Sequence, residues 1–314
     1  MPTIFGVLRK GPRLQIHPLG ATLTGMKTLF GKHAVITGGG RGIGFAIARR
    51  LLEKGCSVSL WDLDLKTLEE AKKTLTTFAS RLSFPGIYPK VLTRVCDVAS
   101  ATQVREAAEK DLFEFGEVEI LINNAGYLAP GNFLDQSPEE WIKTIEVNVH
   151  ALIYTIHQFL PRMYQRNEGH VVNISSAAGL LGVPGLAVYS ASKWAVWGLT
   201  EALRQEAWNL GKRGVQFSSI HPSYVATGLF AGAKLKGLGG WIVPRVSSHD
   251  VVAKAVVVDA LERGRHCPKR PRSVRSALIF RALLPDFLFQ HLLRLLGVHA
   301  SMSTWKGYSH DSKQ

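Results

Sequence analysis

A glycine-rich loop between an apolar strand and an amphipathic helix is the feature that most restricts how this chain can fold. Residues 34–36 (Ala-Val-Ile) form an apolar run typical of a buried parallel strand. The run leads into Thr37-Gly-Gly-Gly-Arg-Gly-Ile-Gly44, after which apolar residues recur at helical spacing over residues 45–52. Glycines permit a tight turn, and the free N–H groups at a helix N-terminus favour an anion such as a pyrophosphate. The pattern predicts the start of a dinucleotide-binding fold, although its Gly-x-x-x-Gly-x-Gly spacing differs from the common Gly-x-Gly-x-x-Gly.

An acidic residue ends the second predicted strand, residues 57–61. Asp62 stands eighteen residues after Gly44, close to the distance at which a carboxylate meets the adenosine ribose in such folds. It would accept hydrogen bonds from the ribose hydroxyls and repel a 2′-phosphate, which favours NAD over NADP. Arg41 favours NADP, because a guanidinium in the loop can reach a 2′-phosphate. We rank Asp62 above Arg41. The alternative for Asp62 is a helix cap, a role for which Asp64 competes.

Strands and helices continue to alternate as far as residue 222. Further strands are predicted to end at residues 98, 122, 174 and 220, and helices are predicted at 65–80, 101–115, 138–166 and 188–211. This order predicts the α/β class, with a doubly wound parallel sheet covered by helices on both faces. Ligands bind beyond the carboxyl ends of such strands. The polar and glycine clusters at those ends are Asp97, Asn123-Asn124-Ala125-Gly126, Ser175-Ser176 and His221-Pro222.

Tyr189 and Lys193 stand one helical turn apart within a predicted helix, so their side chains project from the same face. A free phenol titrates near pH ~10 and is a poor base at neutral pH. A neighbouring ammonium favours the phenolate and lowers its pKa. The pair is therefore predicted to exchange a proton with an alcohol oxygen. The plainer alternative is two neighbours on a helix surface.

Together these motifs resemble the short-chain dehydrogenase/reductase family over about residues 31–265. The resemblance implies a single-domain, Rossmann-like, NAD(P)-dependent oxidoreductase of α/β class. The segment His299-Ala-Ser-Met302 resembles a tail found in the branch related to retinol and 17β-hydroxysteroid dehydrogenases. The matching positions are Thr37 to Gly44, Asp62, Asp97, Asn123 to Gly126, Asn148, Ser176, and Tyr189 with Lys193.

The resemblance also implies a role for each position. Tyr189 is the general acid/base, Lys193 also binds the nicotinamide ribose, and Ser176 positions the substrate oxygen. Asn148 holds a water for proton relay, while Asn123 is structural and ties two loops together. The implied cofactor is NAD, with NADP less favoured, and no metal site is predicted. The implied cofactor-binding residues are Gly38, Arg41, Gly42, Ile43, Gly44, Asp62, Asp97, Asn124, Ala125, Gly126, Tyr189, Lys193, Pro222, Val225 and Thr227.

One position departs from the family pattern. The family more often has Pro-Gly after the sixth strand, whereas this chain has Pro222-Ser223. The backbone there cannot be assumed to follow the usual path. Specificity lies beyond residue 222, so steroids, retinoids, long-chain alcohols and 3-oxoacyl compounds all stay open as substrates.

The positive charge of the chain is concentrated at its ends. Residues 1–33 contain five Lys/Arg and no acidic residue, and residues 262–314 contain ten Lys/Arg and three acidic residues, so these ends carry +12 of the formal +14. A nearly neutral core argues against nucleic-acid binding, which needs basic residues clustered on the folded surface. We expect a basic leader at 1–30, a catalytic domain at 31–265 and a helical extension at 266–314. The three scattered cysteines suit a reducing compartment, and we expect a cytoplasmic protein, with organelle targeting left open.

The C-terminal extension mixes apolar and basic residues in two segments, 277–284 and 287–296, divided by Pro285. Each is shorter than the about 20 apolar residues that span a bilayer. The helices either lie on an anionic membrane or lipid-droplet surface or pack over the substrate mouth or against a second subunit. Either arrangement favours an apolar alcohol or ketone as substrate.

Assembly and function leave further alternatives. Family members are often dimers or tetramers through the two long helices, so a homo-oligomer is expected. A noncatalytic NAD-binding sensor and a lipid-surface scaffold are the alternatives to an enzyme.

Overall fold

Within the described residues, seven parallel strands form one sheet in the order β3-β2-β1-β4-β5-β6-β7. The computed structural model describes residues 25–302, apart from 27, 87, 226–234 and 236, together with Trp305. The strands are β1 His33–Thr37, β2 Ser57–Asp62, β3 Val91–Val95, β4 Ile120–Asn123, β5 Gly169–Ile174, β6 Val215–Pro222 and β7 Lys269–Arg270. The helices are α1 Gly42–Leu52, α2 Leu65–Ala79, α3 Ala101–Phe115, α4 Pro138–Ile145, α5 Ala151–Arg166, α6 Ala187–Asn209, α7 Gly237–Ile242, α8 His249–Lys254, α9 Arg275–Leu283 and α10 Asp286–Leu295.

Helices cover both faces of the sheet, as the doubly wound pattern requires. One hydrophobic core joins the sheet to α1, α2 and α8, and a second joins the opposite face to α3, α5 and α6. The strand order reverses between β1 and β4, because β2 and β3 lie on one side of β1 and all later strands lie on the other. Loops that leave neighbouring strands in opposite directions open a crevice at their carboxyl ends. The predicted fold class is therefore confirmed.

The third strand is shorter than predicted. It ends at Val95 rather than Val98, although Cys96 and Val98 are both buried. The backbone turns at Asp97, whose carboxylate accepts from the N–H of Ala99 and whose carbonyl accepts from the N–H of Ser100. Burial in that segment comes from a packed turn at the start of α3, which apolar pattern alone does not distinguish from a strand.

The seventh strand covers only Lys269–Arg270, and the segment before it, residues 265–268, is irregular. The segment does run beside β6, since the carbonyls of His266 and Pro268 accept from the N–H groups of Ser219 and His221 at 2.8 and 2.9 Å. Pro268 has no N–H to return a bond, so a regular ladder begins only after it.

The C-terminal extension folds onto the domain. Its two helices are separated at Pro285, as predicted. The guanidinium of Arg281 lies over the ring of Trp194 in α6, 5.1 Å from the ring centre. Asp259 is buried and binds Arg263, Arg265 and Arg270 just ahead of the extension. Among the described residues, no helix is both long and apolar enough to cross a membrane.

Candidate active site

The glycine loop is pressed against the segment that follows β4. A Cβ atom on Gly44 would lie 2.1 Å from the carbonyl oxygen of Gly38, so no other side chain fits there. Gly38 has φ +59°, and a Cβ atom there would lie 3.0 Å from the Cα of Ala125. The side-chain amide of Asn124 donates to the carbonyls of Thr37 and Gly38, both at 3.0 Å. Gly44 therefore acts in packing, whereas Gly38, Arg41, Gly42 and Ile43 line a cleft.

The helix that follows the loop, α1, begins at this cleft. Its N-cap residue, Arg41, makes no side-chain capping bond, and its first turn holds no acidic residue. Gly42 and Ile43, which open the helix, line the cleft. Unpaired N–H groups and the helix dipole favour a bound anion there. The cleft has a volume of about 390 Å³. Side chains in place of most of the loop glycines would clash with neighbouring atoms, so the backbone of the loop stays open to a ligand. The residues that line the cleft therefore fit a dinucleotide.

Carboxylates surround the far end of the cleft. Asp62 ends β2, and its Oδ2 accepts from the N–H of Gly40 at 3.1 Å. The helix-cap role belongs to Asp64, which accepts from the N–H of Thr67 at 3.2 Å. These bonds from Thr67 hold the pKa of Asp64 below its usual value, and the nearby charge of Arg41 acts in the same direction. Asp62 is thus left beside the glycine loop, facing the cleft.

The structure brings most of the predicted cofactor-binding residues to this one strand-end cleft. Gly44 and Asn148 lie behind its wall, and Thr227 lies outside the described residues. The predicted residues that line it are Gly38, Arg41, Gly42, Ile43, Asp62, Asp97, Asn124, Ala125, Gly126, Tyr189, Lys193, Pro222 and Val225, with Ser176 at the inner end.

Sequence reasoning missed other residues of the cleft. Tyr127 and Lys143 both line the cleft and form a cation–π contact, in which the Lys143 ammonium lies 4.6 Å from the centre of the Tyr127 ring. His249 lines it from α8, far along the chain. Tyr127 directly follows the Asn-Asn-Ala-Gly motif, which was a usable signal. The sequence holds no such signal for Lys143 or His249, because only the packing of their helices brings them to the cleft.

Ser176 and Tyr189 form a hydrogen-bonded pair at the inner end of the cleft. Ser176 follows β5 and caps a short helical turn, and Tyr189 lies in the first turn of α6. Burial raises the pKa of Tyr189 above its ordinary value, the Ser176 hydrogen bond opposes this, and Tyr224 adds to the rise. In the cofactor-free protein the pKa of Tyr189 thus lies above its ordinary value, and the predicted lowering by Lys193 stays a prediction. Loss of hydration outweighs the opposing influence, and the phenol is held in its protonated form.

Lys193 is buried one turn beyond Tyr189. Its Nζ donates to the carbonyl of Ile174 at 3.0 Å and lies 5.6 Å from the centre of the Tyr189 ring. Burial lowers the pKa of Lys193 to about 8. The ammonium thus faces the cleft at neutral pH but loses its charge within a mildly alkaline range.

Asn148 lies in a π-helical turn, Glu146–His150, between α4 and α5. Its amide pairs with both backbone groups of Tyr127, at 2.8 and 2.9 Å, and donates to Ser192 Oγ at 3.0 Å. Ser192 in turn donates to the carbonyl of Tyr189. Asn148 therefore joins the cleft wall to the helix that carries the phenol, and its predicted water-relay role stays a prediction.

Asn123 lies deeper, in a fully buried polar chain beneath the cleft. Its amide donates to Asn173 in β5 and its oxygen accepts from Thr155 in α5. The chain continues from Asn173 to Thr200 in α6. Asn123 ties a strand and a helix together rather than two loops, which is a structural role as predicted.

A second, apolar space adjoins Ser176, and we call it the side cavity. It has a volume of about 190 Å³. Ser176 and Ser223 line both the side cavity and the strand-end cleft, so the two spaces meet there. The C-terminal extension supplies much of the outer wall of this cavity. It therefore packs over the cavity, which is one of the two arrangements that the sequence left open. Residues of the wall include Leu181, Leu186, Leu235, Val243, Val274, Ala277, Phe280, Phe289, Leu293 and Leu296.

Comparison with known proteins agrees with this architecture. A model of the short chain dehydrogenase family matches residues 32–236. Retinol dehydrogenase 10-B of Danio rerio is 30% identical over 288 residues, covering 88% of this chain and 85% of that protein. A short-chain dehydrogenase/reductase from Burkholderia phymatum, solved in complex with NAD, superposes with a TM-score of 0.71 at 29% identity, covering 84% of this chain and 97% of that one. A metagenomic short-chain oxidoreductase, solved with NADP, gives a TM-score of 0.61 at 28% identity, covering 76% and 96%.

A parallel sheet with an anion-binding glycine loop and a buried Ser-Tyr-Lys group defines an α/β oxidoreductase class. The chain belongs to the short-chain dehydrogenase/reductase family. Within that family it falls in the branch that contains the retinol dehydrogenases.

Proposed function

We propose that the protein transfers a hydride between NAD(H) and an alcohol or carbonyl of an apolar substrate. The observation that carries this proposal is the position of Ser176 and Tyr189, where an anion-favouring cleft meets an apolar cavity. A substrate oxygen in the side cavity would thus face both hydroxyls. The names of the relatives, which are retinol dehydrogenases, support an apolar alcohol as the substrate class.

The proposed mechanism assigns acid/base chemistry to Tyr189. In reduction, the protonated phenol donates its proton to the carbonyl oxygen, which Ser176 orients by hydrogen bonding. In oxidation, Tyr189 must first release its own proton, and the resulting phenolate then accepts the hydroxyl proton of the substrate. NAD supplies the hydride chemistry when bound. Lys193 presents its ammonium to the phenol and to the nucleotide side of the cleft, and Asn148 holds the two cleft walls in register.

Charge at the far end of the cleft supports NAD rather than NADP. Asp62 and Asp97 line the cleft together with Arg41, the cation of the glycine loop, whose charge also acts on the nearby Asp64. A 2′-phosphate would meet more negative than positive charge, and like charges in a partly buried site disfavour binding. The solved relatives do not decide the question, since one holds NAD and the other NADP.

Purified protein tests this function by NADH absorbance. We expect turnover with long apolar alcohols such as retinol or a 17β-hydroxysteroid, and with the matching ketones or aldehydes in reverse. Short polar alcohols serve as controls and should react poorly, because they gain no burial in the side cavity. NADH binding without turnover on any member of the panel would favour the noncatalytic sensor instead.

We also infer that the mouth of the side cavity docks on an anionic lipid surface. Trp241, Leu283 and Phe287, on the helices around the cavity, are 83%, 75% and 67% exposed, and α9 and α10 also carry the exposed residues Arg275 and Arg294. Exposed aromatic and aliphatic residues mixed with arginines are typical of such surfaces.

Flotation with vesicles of neutral and of anionic phospholipid tests the docking. Replacing Leu283 and Phe287 by Ser should reduce flotation, whereas Phe113→Ser, at an equally exposed site on α3, should not. Flotation with no turnover would favour the scaffold alternative.

Homo-oligomer formation is inferred from the two long helical regions. Ile142, Ile153 and Trp208 are exposed apolar residues on α4, α5 and α6, and such residues are covered in many oligomers. Light scattering of the eluting protein should give a mass above 34.5 kDa, and a monomer mass would exclude this assembly.

A further inference from the structure

One wall of the strand-end cleft lies far in sequence from the glycine motif. His249 is the first residue of α8 and lines the cleft beside the start of α1. Its Nε2 and Cε1 lie 3.7 and 3.9 Å from the position of a Cβ built on Gly42. Among the described residues, these are the nearest atoms from outside the loop and its own helix. The imidazole therefore faces the point at which α1 begins.

Helix packing, rather than a loop, fixes the position of this ring. Arg50 in α1 and Asp250, the neighbour of His249, make two hydrogen bonds of 2.6 Å each. Val252 and Ala253 in α8 are fully buried in the same core as α1. The backbone that carries His249 is thus held against the helix whose N-terminus opens the cleft.

The surroundings of the ring favour an anion between it and the loop. The first turn of α1 has no acidic side chain, and Asp250 is directed to Arg50. An imidazole has an N–H donor in either neutral tautomer and two in the charged form. Phosphate groups bind at helix N-termini through backbone N–H groups, and a side-chain donor beside such a terminus adds a charge-assisted bond.

We propose that His249 is a further cofactor-binding residue, which donates a hydrogen bond to the diphosphate of the dinucleotide. This inference rests on the proposed function, since it takes the strand-end cleft as the dinucleotide site. It assigns to α8 a binding role that the glycine motif does not include.

Ligand binding by His249 variants tests the proposal without catalysis. The Kd of NADH is measured by fluorescence, and the Kd values of ADP-ribose and adenosine by competition. His249→Ala should weaken NADH and ADP-ribose by about tenfold, because a charge-assisted hydrogen bond is lost. Adenosine, which has no phosphate, should bind as it does to wild type. His249→Gln, which keeps a donor, should recover part of the loss.

Two controls separate binding from folding. His157→Ala removes an exposed imidazole from α5 and should leave every Kd unchanged. The melting temperature of the cofactor-free His249→Ala protein reports any structural role of the ring. Equal ADP-ribose affinity for wild type and His249→Ala overturns the proposal, as does an equal loss for ADP-ribose and adenosine. Wild-type protein that binds no NADH overturns both this proposal and the proposed function, whereas NADH binding without turnover leaves this one standing.

Discussion

The ammonium nitrogen of Lys193 lies 5.6 Å from the centre of the Tyr189 ring and donates to a backbone carbonyl rather than to the phenol. Both side chains are buried, at 4% exposure each, and burial shifts their pKa values in opposite directions. The pair therefore holds a protonated phenol beside an easily neutralised lysine. Several measurable properties depend on this relationship.

NADH binding should weaken as the pH rises through about 8, the pKa of Lys193 in the cofactor-free protein. Below that pH the lysine is charged and attracts the anionic nucleotide, and above it the charge is lost. The Kd should rise by no more than about tenfold per pH unit, the limit for one proton. Fluorescence titration of NADH at pH values from about 6.5 to about 9.5 gives the dependence of Kd on pH. This range extends about 1.5 pH units to each side of the pKa.

The matched variant is Lys193→Met, which has similar bulk and no charge. Its Kd should be higher than that of wild type at neutral pH and should vary less with pH. Identical profiles for the two proteins would assign the pH dependence to another group.

Replacing Asp62 by Asn should reduce the preference for NAD over NADP by about tenfold, because the ribose loses an ionised acceptor and the 2′-phosphate loses a repulsion. The ratio of kcat/KM for the two cofactors is the measurement. Arg41→Ala is the companion variant and should shift the ratio the other way. If Asp62→Asn leaves the ratio unchanged and Arg41→Ala alters it, the discrimination belongs to Arg41.

A bulky side chain on the inner face of α9 should exclude large substrates. Ala277 lines the side cavity, so Ala277→Trp should raise KM for long apolar alcohols by about tenfold or more and leave the Kd of NADH unchanged. Ala282→Trp is the control, since Ala282 is an exposed residue of the same helix. Equal KM values for wild type and Ala277→Trp would show that the substrate does not use this cavity.

Asp259 should be the main anchor at the base of the C-terminal extension. It is buried and binds three arginines, so Asp259→Ala should lower the free energy of unfolding by about 1–3 kcal/mol, since its partly buried partner Arg270 loses its counterion. Urea unfolding measures the change. Arg263→Ala, at an exposed member of the cluster, should cost less than about 1 kcal/mol. A loss from Arg263→Ala as large as that from Asp259→Ala would contradict this ranking.

Local patterns predicted those parts of the molecule that local interactions determine. The loop from Thr37 to Gly44, the tip position of Asp62 and the common face of Tyr189 and Lys193 follow from turn chemistry and helical period. The boundaries at residues 30 and 265 stay predictions. The third strand was predicted too long, because burial of Cys96 and Val98 does not reveal a backbone turn.

Features that depend on packing between distant segments could not be predicted from the sequence. The direction of the pKa shift of Tyr189 depends on how completely the fold buries its side chain, which residue spacing in the sequence does not report. The π-helical turn at Asn148 and the approach of His249 to Gly42 likewise arise from contacts between distant segments.

The most direct test of the central claim is the Tyr189→Phe variant, which removes one oxygen atom and keeps the ring. With a substrate on which wild type turns over, kcat should fall by about 100-fold to 10,000-fold, the usual contribution of a general acid/base. The Kd of NADH should stay within about twofold of wild type, since a neutral hydroxyl contributes little to cofactor binding here. A Phe variant with wild-type kcat would contradict the assignment of Tyr189 as the proton donor and acceptor.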